Sequence, residues 1–92
     1  MKNGLMFHEQ FMSEAQHLIE NITKLERKGN IKDALKKNLE LCYLKVNYYE
    51  QWIKSYDSMS NYYKLYNESY YYALLELAFV RDKCMDVGIF EE

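Results

Sequence analysis

Glu14-Ala15-Gln16-His17 is a spacing that metal chemistry uses, because a carboxylate and an imidazole three residues apart share one face of a helix. A di-iron centre needs a second such pair and two more inward carboxylates, which this chain does not supply, so no metal is expected. His8 continues the apolar seam of the first helical segment toward its N-terminus. It has no cysteine or serine at a nucleophile spacing and reads as an edge histidine. Cys42 and Cys84 also fall on seam positions, where a thiol packs as a small hydrophobe of low reactivity. The glycines stand alone at 4, 29 and 88, so no phosphate-cradling loop is encoded. These residues predict no catalytic group and no cofactor.

Charge chemistry is more suggestive. Lys24, Arg27, Lys28, Lys32, Lys36 and Lys37 crowd into residues 23–37 against only Glu26 and Asp33, in a chain whose net charge is -2. That basic end is the candidate site for nucleic acid or another anionic ligand. The competing reading is a solvated turn whose lysines complement a helix C-terminus, and it is preferred. Leu25–Leu35 around Gly29 faintly resembles a helix-turn-helix, but its flanking helices are far longer than that motif uses. The tyrosine-rich stretch 43–72 carries no net charge and so lacks the electrostatic groove that single-strand binders combine with aromatics.

The elements that position these groups follow from apolar spacing. Phe11, Ala15, Leu18, Ile22 and Leu25 alternate steps of four and three, the signature of one helical face. Gly29 then offers the left-handed conformation that closes a helix. A second stripe runs Leu35, Leu39, Cys42, Val46, Tyr49, Ile53, Tyr56, with Asn30 or Asp33 as its cap. The regular spacing breaks in Tyr56-Asp57-Ser58-Met59-Ser60-Asn61, whose short polar side chains favour caps, and a turn is expected there. One continuous helix with a stammer is the alternative. A third stripe runs Met59, Tyr63, Tyr66, Tyr70, Ala73, Leu77, Val80, Cys84, Val87 and ends near Gly88. The 92 residues are thus expected to form one all-α domain, an elongated antiparallel three-helix bundle with helices at about 5–28, 31–56 and 59–87.

Gly29-Asn30-Ile31-Lys32-Asp33-Ala34-Leu35 resembles the start of a helix in tetratricopeptide and MIT-type domains, with Ile31 where those families place an aromatic. The likeness spans seven residues, implies only a capped amphipathic helix, and assigns no family.

Tyr70–Val80 contains a single charged residue, Glu76, so every face of three turns is apolar or aromatic. An ordinary surface helix keeps a polar side. The row Leu65, Tyr72, Leu75, Phe79 points away from the third stripe and needs a cover. The chain ends, Leu5-Met6-Phe7 and Val87, Ile89, Phe90, are one candidate, and a second chain completing the bundle as a homodimer or docking partner is the other. All ten tyrosines fall between Tyr43 and Tyr72, and Tyr43, Tyr48, Tyr62, Tyr71 and Tyr72 lie off the stripes. Tyrosine and tryptophan on a surface give large contact area at small entropic cost.

The expected partner-binding set is therefore Tyr48, Trp52, Tyr62, Leu65, Tyr71, Tyr72, Leu75 and Phe79. The expected function is a non-enzymatic protein–protein interaction module acting by occlusion or scaffolding of a partner. The lysine, tyrosine, asparagine and isoleucine bias points to AT-rich coding and to the accessory or inhibitory proteins of phages and mobile elements. With no secretory signal or apolar span among the opening residues, and two cysteines read as reduced thiols, the expected location is cytoplasmic.

Overall fold

The computed structural model describes residues 4–55 and 59–89, with side chains from residue 8 onward. Three helices account for nearly all of them: α1 (Gly4–Arg27), α2 (Ile31–Ser55) and α3 (Asn61–Asp86). The all-α three-helix expectation holds, and the ends differ from the expected ones by a residue or two for local reasons.

At the first junction Gly29 takes φ 82°. Its N–H donates to the Glu26 carbonyl (3.1 Å) and the Asn30 N–H to the Leu25 carbonyl (2.9 Å), the paired bonds of a Schellman closure. One residue later α2 begins, and the Asn30 carbonyl accepts from Ala34 N–H at 3.0 Å. The expected break near residue 59 is present: α2 ends at Ser55 and α3 starts at Asn61, with 56–58 outside the described residues. Met59 lies outside α3 because Ser60 is the N-cap. Ser60 is extended (φ -73°, ψ 145°) and its hydroxyl accepts from Tyr62 N–H at 3.0 Å. Gly88, at φ 79°, closes α3 with its N–H on the Met85 carbonyl (3.0 Å).

Cross-helix pairs fix the directions. His8 and Phe11 near the start of α1 meet Tyr48 in the second half of α2. Trp52 meets Tyr66, Lys45 meets Glu76, and Cys84 meets Leu35, so the last half of α3 runs back along the first half of α2. Both hairpins are antiparallel, and the molecule is elongated, 44 × 23 × 21 Å.

The three helices do not share one core. Among the described residues α2 packs against both neighbours, while α1 and α3 make at most marginal contact with each other. On the α1 side Phe11, Ala15, Leu41 and Tyr48 are buried, with Leu18, Ile22, Leu44, Tyr49 and Trp52 against them. On the α3 side Cys42, Val80, Cys84 and Ile89 are buried, with Leu35, Leu39 and Leu77 around them. α2 therefore carries two apolar stripes about 100° apart, Leu41-Tyr48 and Leu35-Cys42, and Tyr49 meets both Phe11 of α1 and Tyr66 of α3. Among the described residues each outer helix packs chiefly on α2, unlike a closed bundle in which every helix has two neighbours.

Candidate interaction surface

The consequence for α3 is direct. Its inner face, Ala73, Val80 and Cys84, is buried on α2, with Tyr63, Tyr66, Tyr70 and Leu77 half-buried beside it. Tyr62, Leu65, Tyr71, Tyr72, Leu75 and Phe79 each keep 51–63 % of their surface exposed. Leu65, Tyr72 and Phe79 recur every seven residues and so form one row, with Leu75 beside it. Tyr71 and Tyr72 meet edge to face (centroids 6.2 Å, 64°), and the Lys83 ammonium sits 5.0 Å from the Phe79 ring centre. Of the chain-end segments, Ile89 does fold back, but into the inner core with Cys42 and Cys84, while Val87 stays exposed. Leu5-Met6-Phe7 and Phe90 lie outside the described side chains.

Two members of the expected set are not on this surface. Tyr48 is buried at 3 % exposure, stacked on Phe11 with ring centroids 3.9 Å apart. Its hydroxyl is hydrogen-bonded to His8 Nδ1, so His8 is an edge histidine tied to a core tyrosine. Tyr48 lies off the Leu35–Tyr56 stripe but on a second apolar face of α2, which α1 covers. Trp52 is half-buried, its ring stacked on Tyr66 (5.3 Å, 11°) and packed against the α1–α2 core. It bridges the two hairpins internally. Tyr43, in contrast, is exposed as its phase requires.

Sequence reasoning missed Met12 and Ile19 on α1 and Met85 on α3, all exposed. Met12 and Ile19 lie seven residues apart beside the α1 stripe, a spacing that was there to be read. Between α2 and α3 a cleft of about 240 Å³ is lined by Lys45, Tyr49, Ser69, Tyr72, Ala73 and Glu76. The Lys45–Glu76 pair crosses it at 3.2 Å. Such a partly exposed ion pair orients the two helices and contributes under about 1 kcal/mol.

The groups singled out for chemistry are far apart in role. Glu14 and His17 are exposed, and Glu14 accepts from Gln10 Nε2 at 3.1 Å. Among the described residues no cluster of three or more His, Cys, Asp or Glu is placed to hold a metal ion. Cys42 and Cys84 are buried free thiols, and the Cys84 Sγ–H donates to the Leu35 carbonyl at 3.7 Å. Burial, aided by the Glu76 carboxylate and opposed by Lys45, pushes the Cys42 thiol up to about 11. Burial also raises Cys84. Neither is a ready nucleophile. In the basic segment Lys24, Arg27, Lys28 and Lys32 are exposed, Lys36 and Lys37 are half-buried, and Lys37 pairs with Glu40 at 3.3 Å. No helix among the described residues is long and apolar enough to cross a membrane.

Comparison of the chain with protein families, curated proteins and solved structures finds no match.

Proposed function

We propose that this protein is a non-enzymatic interaction module that occludes or scaffolds a protein partner through the outer face of α3. The observation that carries the reading is the set Tyr62, Leu65, Tyr71, Tyr72, Leu75 and Phe79, half or more exposed on a helix that, among the described residues, packs chiefly on α2. Contiguous exposed apolar surface of roughly 300–600 Å² is often an interaction site. The tyrosine hydroxyls tolerate water at the rim of such a contact.

The test is Tyr72→Arg and Phe79→Asp, each scored for association and for helical circular dichroism. Association falls by more than about tenfold with helix content unchanged, since both side chains already face solvent. Loss of the helical signal instead places them in the core and removes the reading. Lys36→Glu with Lys37→Glu serves as the control on the basic segment. Association is unaffected, and a loss of nucleic-acid retention in a gel shift would move the function to the basic turn.

A further inference from the structure

The polar residues bordering the exposed α3 row are arranged for a particular occupant. Moving along the row, the exposed Glu68 precedes Tyr72, Leu75 and Phe79, and the exposed Lys83 follows them. The Lys83 ammonium already leans over the Phe79 ring, at the C-terminal end of the apolar strip. Positions 68 and 83 stand fifteen residues, about 22 Å of helical rise, apart, with Leu75 and Glu76 midway between them.

From this we infer that the occupant of the α3 face is a second copy of the same chain, paired antiparallel across a two-fold axis near residues 75 and 76. The proposal rests on the interaction-module reading and names its partner. In that register Glu68 of each chain meets Lys83 of the other, Tyr72 meets Phe79, and the two Leu75 side chains fill the centre. Both ends of the contact gain an opposite-charge pair from the same residues, as an isologous interface requires. A parallel pairing sets Glu68 against Glu68, Asp82 against Asp82 and Lys83 against Lys83, so it is disfavoured by like charges at three positions. A single helix-on-helix contact is at the small end of interface sizes, so the dimer is a reversible one.

The experiment is sedimentation equilibrium of the full chain over a concentration series, with circular dichroism on every variant. The wild type sediments toward the mass of two chains as concentration rises. Glu68→Lys and Lys83→Glu singly weaken self-association roughly tenfold, because each turns two attractions into two repulsions. The double reversal restores it to within about threefold, and added salt shrinks the single-variant defects. A wild type that stays a monomer throughout overturns the self-pairing while leaving an interaction surface for other proteins. A dimer indifferent to both reversals overturns the antiparallel register. Collapse of helix content in Phe79→Asp overturns the interaction-module reading and the self-pairing with it.

Discussion

Phe11 and Tyr48 stack face to face, ring centroids 3.9 Å apart and planes 12° from parallel, and this pair joins α1 to α2. Tyr48 also meets Tyr49 and Trp52 edge-on, at 5.2 and 6.1 Å. One ring thus holds the aromatic centre of the first hairpin.

Tyr48→Ala is accordingly expected to lower stability by about 3–5 kcal/mol, the usual cost of emptying a buried aromatic site. Tyr48→Phe keeps the stack and loses only the bond to His8, a cost of about 1 kcal/mol. Urea denaturation of the two variants checks the order. Equal effects would mean that the hydroxyl, not the ring, organises the hairpin.

Gly29 separates backbone strain from packing. A methyl group placed on it meets nothing within 4 Å, yet its φ of 82° is one that L side chains rarely adopt. Gly29→Ala should cost about 1 kcal/mol, all of it from the crowding of Cβ against its own backbone and none from packing. Gly29→Asn should recover part of that, because asparagine tolerates the left-handed region. Thermal unfolding of both variants measures the difference, and an Ala variant as stable as the native chain refutes the strain argument.

The Cys42 thiol gives the molecule an alkaline limit. Its folded-state value, about 11, lies above the ordinary thiol value of 9.0 because ionisation would bury a thiolate next to apolar side chains and Glu76. A group whose folded value is raised stabilises the fold fully below the unfolded value. That contribution is lost as pH climbs from about 9 toward about 11. Cys42→Ala should therefore show a shallower decline in stability over that window than the native chain. Thiol labelling of the native protein at pH 8 should be slow and should accelerate in denaturant.

Much of this architecture was legible in the order of residues. Phe11, Ala15 and the i+3/i+4 series behind them fixed the inner face of α1, and Gly29 and Gly88 marked two closures by the same stereochemical need. The exposed row on α3 followed from counting, since Tyr70–Val80 has more apolar perimeter than its neighbours can cover. Tyr48 and Trp52 were misplaced because one stripe per helix was assumed, whereas a helix between two antiparallel neighbours needs two. Periodicity reports which residues share a face, not how many faces are occupied. The charge symmetry of Glu68 and Lys83 was present in the chain as well, but it acquires meaning only once α3 is known to turn that side to solvent.

The two buried clusters along α2 are joined at one end, where Tyr49 and Trp52 pack on the first cluster and also meet Tyr66 of α3. Away from that aromatic bridge α2 works as a spine with one helix on either flank. Local opening can begin at the far end of either flank, and the amides of the middle helix are the slowest to meet solvent.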